Sequence, residues 1–161
     1  MAAAGDDITV RPNRVPWPPI LLAGAIIGAV ALGQLLPVNW PGVDDGPAHA
    51  IGLAFGLGGL LLTIWAAVTL QRANTAVLPH HGASKLVTNG PFAWRRNPIY
   101  LGDILILFGI AELTKNIRFV GLAVLFGVLV TWLAILPEER HLEAKFGDAW
   151  REYAERTRRL L

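Results

Sequence analysis

The hydrophobic positions of this chain fall into four long apolar segments separated by polar stretches. The segments are residues 19–36, 48–70, 99–113 and 119–136. A helix needs roughly 20 mostly apolar residues to cross a bilayer. The third segment is shorter and contains Asp103 and Glu112, so it must begin nearer Arg96 or be packed inside the bundle. The pattern predicts an all-α integral membrane bundle of four transmembrane helices.

The polar stretches between these segments differ in length. Of the five residues between the third and fourth segments, only residues 114–116 separate them clearly, which predicts a tight helical hairpin. The loop 71–98 is long, and a loop of that length is usually functional or disordered. Several of its side chains need burial, namely Leu86, Val87, Phe92 and Trp94. We therefore expect a structured cap over one end of the bundle.

After Pro137 the pattern becomes that of an amphipathic helix. Glu152 with Arg156, and Glu155 with Arg159, are i,i+4 pairs in the favourable order. Apolar positions recur at helical spacing, namely Leu142, Phe146, Trp150, Tyr153 and Leu160. We expect one C-terminal amphipathic helix on the membrane surface, with its apolar stripe facing lipid or the bundle. For the second half of this helix, an equal alternative is that it is a solvated anchor with no chemical role.

The composition supports a membrane protein. Hydrophobic residues make up 53% of the 161 residues and charged residues only 16%, against about 25% charged in soluble proteins. A soluble domain would have too few charges to cover its surface. Residues 1–16 are polar and rich in Pro and Arg, so we expect a disordered tail followed by a single domain over residues 17–161.

The content of metal-binding residues excludes several kinds of chemistry. The chain contains no cysteine, which rules out disulfides, a thiolate nucleophile, cysteine-bound zinc and iron–sulfur clusters. His80 and His81 are adjacent, so their side chains point in different directions on regular structure. A metal site needs more ligands at suitable spacing, and we expect none. We also expect no binding to nucleic acid.

The distribution of basic residues predicts the orientation in the membrane. All but two of the 14 Lys and Arg residues lie in the tail, in the loop 71–98 or after Pro137. With four crossings these three regions share one side. Because basic residues concentrate on the cytoplasmic side, both termini are expected in the cytoplasm.

Three acidic residues stand out near this side. Asp103 lies about one turn inside the third segment, where an ionisable group is costly and is usually functional or paired. Arg95 or Arg96 is its expected partner. Glu138 and Glu139 follow Pro137, and we expect a helix N-terminus there to stabilise them. One would cap the helix while the other faces a polar cavity, or both would merely begin the helix.

Glycines at helical spacing predict close contacts between helices. They are Gly24 with Gly28, and Gly52 with Gly56, Gly58 and Gly59. Small residues at this spacing allow two helix backbones to approach closely in a membrane. The Gly24–Gly28 face could also support a homodimer.

Two sequence blocks together resemble the signature of the isoprenylcysteine carboxyl methyltransferase and phospholipid methyltransferase superfamily. Residues 86–102 read LVTNGPFAWRRNPIYLG, and residues 138–142 read EERHL. The resemblance covers residues 74–161. It implies an S-adenosylmethionine-dependent methyltransferase embedded in a membrane. We expect this membrane to be a bacterial inner membrane. Its acceptor would be a lipid or lipidated molecule.

The resemblance also assigns the site, position by position. Catalytic roles fall to Arg96, Tyr100 and Glu139. The cofactor contacts would be Ser84, Lys85, Leu86, Val87, Phe92, Asn97, Pro98, Ile99, Tyr100 and Glu138. Two positions depart from well-known members of the family. Asn97 replaces a histidine, and its amide cannot act as a general base; Phe92 replaces a common tyrosine.

Two other functions are compatible with these features. Some sterol-reducing membrane enzymes have a similar C-terminal arrangement and bind NADPH, although they usually have a larger bundle. A non-catalytic membrane adaptor could retain the fold. The acceptor stays open among a carboxylate, a thiol and an amine.

Overall fold

The computed structural model describes residues 12–13, 15–36, 38–77 and 82–160. All regular elements within these ranges are helical, which confirms the all-α prediction; Arg95 and Arg158 form an isolated β-bridge. The helices are α1 Trp17–Leu35, α2 Gly46–Arg72, α3 Pro98–Thr114, α4 Arg118–Val130, α5 Leu136–Phe146 and α6 Asp148–Arg156. A 3₁₀-helix covers Gly90–Ala93, and a π-helical turn, Thr131–Ile135, joins α4 to α5.

The helices α1 to α4 alternate in direction between two ends of a bundle, so that packed neighbours are antiparallel. The loop end carries residues 82–97 and α6, and the hairpin end carries residues 38–45 and 115–117. The helix α3 packs against both α2 and α4, and α1 packs against α4. The short connection between α3 and α4 confirms the predicted helical hairpin.

Within the described part of the chain, three helices are long and apolar enough to cross a membrane. They are Trp17–Leu35, Gly46–Arg72 and the continuous helix Arg118–Phe146. With 17 residues, α3 is shorter, and it holds Asp103 and Glu112. Much of it is buried between its neighbours, as Leu107 and Ala111 show. These helices indicate an integral membrane protein, while the predicted number of four crossings stays a prediction.

Glycines bring the backbones of α2 and α3 into contact. A Cβ atom added to Gly109 would lie 2.6 Å from the Cα of Gly56, and one added to Gly59 would lie 2.5 Å from the carbonyl oxygen of Gly102. No side chain larger than hydrogen fits at these crossings. The predicted role of the α2 glycines is therefore confirmed for Gly52, Gly56 and Gly59.

The other predicted glycine contacts are absent from the described residues. A Cβ on Gly24 or Gly58 would meet no atom within 4 Å, and one on Gly28 would meet only the side chain of Leu122 at 3.4 Å. The prediction of close helix–helix contacts is wrong for Gly24 and Gly58, and at Gly28 the contact is with a side chain of α4 and not with its backbone. The predicted homodimer stays a prediction.

The continuous helix Arg118–Phe146 passes through Pro137 without a break. Proline has no N–H group, so it cannot bond to the carbonyl of Leu133 four residues earlier. The side-chain amide of Asn13 donates to that carbonyl at 2.7 Å. The π-helical turn lies directly before Pro137 and widens the helix there. The sequence prediction that a new helix begins at this proline is therefore wrong.

The chain reverses after α5. Gly147 has a φ of +54°, a conformation that favours glycine, and it separates α5 from α6. The single C-terminal helix predicted from the sequence is therefore two helices. Leu160 lies beyond α6, although it packs against the core. Arg159 binds Glu139 instead of Glu155, because residues 157–160 leave the helix and run back across the loop.

Two predictions concern residues outside the described ranges. They are the disordered state of most of the tail 1–16 and the pair His80 and His81. The predicted boundary between tail and domain also stays a prediction.

Candidate functional site

Arg96 connects the loop end to both C-terminal helices. Its Nε donates to Glu139 Oε1 at 3.1 Å. Its Nη1 donates to the carbonyl oxygens of Ala154 at 2.7 Å and Thr157 at 2.6 Å. The guanidinium also lies 5.9 Å from the ring centre of Trp150, within range of a cation–π interaction. One side chain thus joins the loop to α5, α6 and the residues after α6.

A second arginine completes this arrangement. Arg159 donates to Glu139 from Nη2 at 2.7 Å and from Nε at 3.0 Å. The Glu139 side chain is only 15% exposed, so two charged partners compensate for its loss of hydration. The side-chain amide of Asn97 donates to the carbonyl of Arg159 at 3.1 Å, and the N–H of Arg96 donates to Arg158 at 2.9 Å. Residues 157–160 are therefore bound along the loop.

Tyr100 and Glu138 bring the two halves of the sequence signature together. The Tyr100 hydroxyl donates to Glu138 Oε2 at 3.4 Å. Tyr100 is buried, with 6% of its surface exposed. Within the described ranges Glu138 forms no ion pair. A half-buried carboxylate held by a single neutral donor is available for a cationic group.

The two adjacent glutamates have different surroundings because successive helical side chains diverge by about 100°. Glu139 points to Arg96 and Arg159, and Glu138 points to Tyr100. Neither caps a helix, since α5 begins without a side-chain cap. The expectation of capping is wrong because the backbone is already helical before Pro137.

Asp103 is buried and has no partner among the described residues. It is 7% exposed, and within the described parts of the chain its carboxylate forms no hydrogen bond or ion pair. The predicted pairing with Arg95 or Arg96 is wrong. Arg96 binds Glu139, and Arg95 donates to the carbonyl of Trp94 at 3.1 Å. Arg96 precedes α3, and its side chain extends toward α5 and α6. It therefore points away from Asp103, which lies inside α3.

Residues 83–85 are attached to α5 and to the end of α2. The N–H of Ala83 donates to Nε2 of His141 at 3.2 Å. Thr75 Oγ1 accepts from the N–H groups of Ser84 at 2.9 Å and Lys85 at 3.3 Å. Sequence reasoning did not assign His141 or Thr75 a role. The EERHL motif contains His141 and could have indicated it; Thr75 has no such signal.

The short 3₁₀-helix fixes Phe92 beneath α6. Gly90 begins it with a φ of +60°, and Phe92 is buried. The hydroxyl of Tyr153 donates to the Phe92 carbonyl at 2.7 Å. Burial raises the pKa of Tyr153 to about 12, although the positive charge of Arg96 acts in the opposite direction. Tyr153 therefore remains a donor at neutral pH.

All the residues assigned by the resemblance lie at the loop end, but they do not form one contact cluster. Phe92, Asn97, Pro98 and Tyr100 are buried, whereas Ser84 and Lys85 are exposed. Leu86, Val87, Ile99 and Glu138 are half-buried. The structure joins Tyr100 to Glu138 and Arg96 to Glu139. The cofactor and catalytic roles of these residues stay predictions.

A second feature lies along the helices. An apolar groove of about 1080 Å³ runs between α2 and α4 over the outer face of α3. It is lined by residues such as Phe55, Phe108 and Trp132, which suit hydrocarbon. At the hairpin end Glu112 lies at its wall and is paired with Lys115.

Comparison with known proteins agrees with the resemblance. A profile of the phospholipid methyltransferase family matches residues 47–149, well over half of the chain. The chain is also similar to the cobalt-zinc-cadmium resistance protein CzcN of Cupriavidus metallidurans, with 32% identity over 72 residues. That match covers 45% of this chain and 33% of the relative, so the chain spans about a third of the relative's length. No solved structure matches. In the described ranges no group of three or more His, Cys, Asp or Glu residues could hold a metal ion.

Proposed function

Because the chain belongs to the phospholipid methyltransferase family, we propose that this membrane methyltransferase uses S-adenosylmethionine and methylates a lipophilic acceptor. The observation that carries the proposal is the contact between Tyr100 and Glu138. It joins the two separated blocks of the signature around a half-buried carboxylate that has no cationic partner among the described residues. NADPH reduction and a non-catalytic adaptor have no comparable support.

The residues present suit this cofactor. It is a zwitterion with an additional sulfonium charge, so it needs an acceptor for its ammonium group, donors for its carboxylate and an apolar surface for adenine. Glu138 supplies the acceptor. Phe92 and Pro98 supply buried apolar surface, and the backbone N–H groups of the loop supply donors. When bound, the cofactor supplies the activated methyl group.

The side chains then have separate tasks. Glu138 binds the cofactor ammonium, and the Tyr100 hydroxyl orients that carboxylate. Arg96 and Glu139 were predicted to be catalytic, but their contacts favour a positioning role, since each is occupied by other protein groups. They hold residues 148–160 over the loop and thereby limit access of water. Methyl transfer is an in-line displacement, so positioning supplies much of the acceleration.

We assign the cofactor contacts as the resemblance places them. They are Ser84, Lys85, Leu86, Val87, Phe92, Asn97, Pro98, Ile99, Tyr100 and Glu138. Asn97 takes no proton in this scheme. Its amide donates to Arg159, so it secures the C-terminal segment.

The proposed setting is a bacterial inner membrane, with four crossings, both termini in the cytoplasm and the loop end on the cytoplasmic side. We propose residues 17–161 as one domain. The apolar groove between α2 and α4 offers hydrocarbon surface for lipid. A homodimer would bury further lipid-facing surface of α1.

Substitution of Glu138 by Gln tests the proposed cofactor site. We expect Glu138→Gln to weaken S-adenosylmethionine binding by about 1–3 kcal/mol, because a charge-assisted hydrogen bond is lost. Calorimetry on detergent-solubilised protein measures the dissociation constant. Glu112→Gln is the matched control, since Glu112 is an acid in the same bundle that is paired with Lys115 at the other end.

The same titration distinguishes the alternatives. Equal affinity of wild type and Glu138→Gln would contradict the assignment of Glu138. Absence of S-adenosylmethionine binding by wild type, together with binding of NADPH in a parallel titration, would overturn the proposed function.

A further inference from the structure

Besides the apolar groove, a smaller pocket lies at the hairpin end of the bundle. It has a volume of about 560 Å³ and is enclosed by α1, the end of α3 and the start of α4, with residues 38–39 at its edge. This volume falls within the usual range for ligand sites, roughly 300–1,000 Å³. None of the residues assigned to the cofactor lines this pocket, so the two regions are separate.

The lining of this pocket changes from polar to apolar along α1. Its polar residues at the hairpin end include Gln34, Asn39, Lys115 and Arg118. Val30 and Ile26 line the pocket one and two turns further along α1, toward the middle of the bundle. The distance along the helix from Gln34 to Ile26 is about 12 Å, at 1.5 Å per residue. A molecule with a polar headgroup and a hydrocarbon chain matches this order.

Arg118 is the charged residue of this pocket that lacks a partner in the described part of the chain. Its side chain is half-buried, and its guanidinium forms no hydrogen bond or ion pair with the described residues. Lys115, by contrast, is paired with Glu112, and its Nζ lies 3.3 Å from Asp44 Oδ1. A guanidinium is always charged and has five donors that can bind a phosphate at two points. The unused donors of Arg118 therefore favour an anion.

The charges around the pocket favour an anionic headgroup over a zwitterionic one. No acidic residue is among the described residues that line the pocket. Glu112 lies instead in the wall of the apolar groove. The ammonium group of a zwitterionic lipid would approach Arg118 without an acid to accept it, and like charges repel. Basic pockets between membrane helices bind anionic headgroups for the same reason.

We propose that this pocket binds an anionic phospholipid, with the phosphate at Arg118 and an acyl chain along Val30 and Ile26. The side-chain amides of Gln34 and Asn39 are available to the headgroup, since neither forms a hydrogen bond with the described residues. Val30 is 50% exposed, so the chain can enter the pocket from the bilayer. Bound there, the lipid contacts α1, α3 and α4 and stabilises their packing.

Two phospholipids with the same oleoyl chains provide the test. Detergent-solubilised protein is titrated with dioleoylphosphatidylglycerol or dioleoylphosphatidylcholine, and native mass spectrometry gives the dissociation constant of the first bound lipid. We expect wild type to bind the anionic phosphatidylglycerol about tenfold more tightly. Arg118→Gln should weaken this binding about tenfold and abolish the preference, because charge-assisted hydrogen bonds to the phosphate are lost.

Matched variants separate the pocket from a general attraction to lipid. Arg72→Gln removes an exposed arginine at the loop end and should leave the affinity for phosphatidylglycerol unchanged. Val30→Trp fills the apolar part of the pocket and should weaken the binding of both lipids. Ile27→Trp, at a 67% exposed position that does not line the pocket, should not. Circular dichroism shows whether each variant keeps its helical content.

Three results would overturn the proposal. The first is an unchanged affinity of Arg118→Gln for phosphatidylglycerol, or an equal loss of affinity in Arg72→Gln. The second is equal affinity of wild type for the two lipids, which would contradict the preference for an anion. The third is displacement of the lipid by an equal concentration of glycerol 3-phosphate, which would mean that the site binds phosphate without an acyl chain. None of these measurements requires S-adenosylmethionine, so they stand whether or not the proposed function holds.

Discussion

Arg96 shows how much of the loop end depends on the shape of one side chain. Its guanidinium binds a carboxylate through Nε and two carbonyl oxygens through Nη1. These acceptors come from α5, from α6 and from Thr157. A planar guanidinium with five donors can bind all three acceptors at once, whereas a lysine ammonium is a single point of charge. The neighbouring Arg95 lacks this role and donates to Trp94 next to it in the chain.

Replacement of Arg96 by Lys should loosen the C-terminal segment while keeping the charge. We expect Arg96→Lys to increase hydrogen exchange over residues 148–160, with a loss of about 1–3 kcal/mol of local stability from the broken hydrogen bonds. Hydrogen exchange with mass spectrometry measures it. Arg95→Lys is the control and should change little. Equal protection in both variants would show that Arg96 does not hold this segment.

Among the helices, the contact between α2 and α3 positions the site. Tyr100 and Asp103 lie in the first turns of α3, close to where Thr63 Oγ1 donates to the carbonyl of Ile99 at 3.4 Å. Lipid provides no hydrophobic driving force between helices, so close backbone packing has to supply the stability. Gly109 in α3 lies against Gly56 in α2, and this crossing sets the distance between the two helices.

A methyl group at this crossing should separate the two helices. We expect Gly109→Ala to destabilise the protein by about 1–3 kcal/mol, the range for overpacking of a close contact. Gly121→Ala is the control, because a Cβ at Gly121 in α4 would meet no atom within 4 Å. Thermal unfolding in detergent compares the two. If Gly121→Ala lowers the melting temperature as much as Gly109→Ala does, the close contact at Gly109 does not determine the stability of the protein.

Within the described residues, most Lys and Arg side chains lie at the loop end, whereas the acidic pair Asp44 and Asp45 lies at the hairpin end together with Lys115 and Arg118. The Trp65 and Trp94 rings meet at 6.3 Å near the loop end and are exposed. Such tryptophans are common at the membrane–water interface. These features support an orientation in which α3 crosses the membrane although it is short.

Cysteine labelling in the cysteine-free chain tests this orientation. Asn39→Cys lies in the hairpin end, and Lys145→Cys lies near the end of α5; both positions are exposed. If α3 crosses the membrane, three crossings separate them. An impermeant maleimide should then label Asn39→Cys in intact cells and Lys145→Cys only after permeabilisation, as basic residues favour the cytoplasm. Labelling of both from one side would mean that α3 does not cross. The natural sequence is the unlabelled control.

By itself, the amino-acid sequence determined the class of the protein, the four apolar helices of the bundle and the hairpin between α3 and α4. These depend on local composition and periodicity, which require no knowledge of neighbours. The residues of the signature came from the resemblance to a known family. The sequence could not determine that the helix continues through Pro137, because the side chain that compensates for the missing N–H, Asn13, is remote in sequence.

Only the tertiary structure decided which charges meet. The sequence placed Arg96 and Asp103 close together along the chain, yet Arg96 binds Glu139, more distant in sequence, and Asp103 remains unpaired within the described residues. Periodicity tells on which face of a helix a side chain lies, but not which other helix that face meets. An ion pair depends on distances of a few ångströms between separate elements, and these are set only when all the helices have packed.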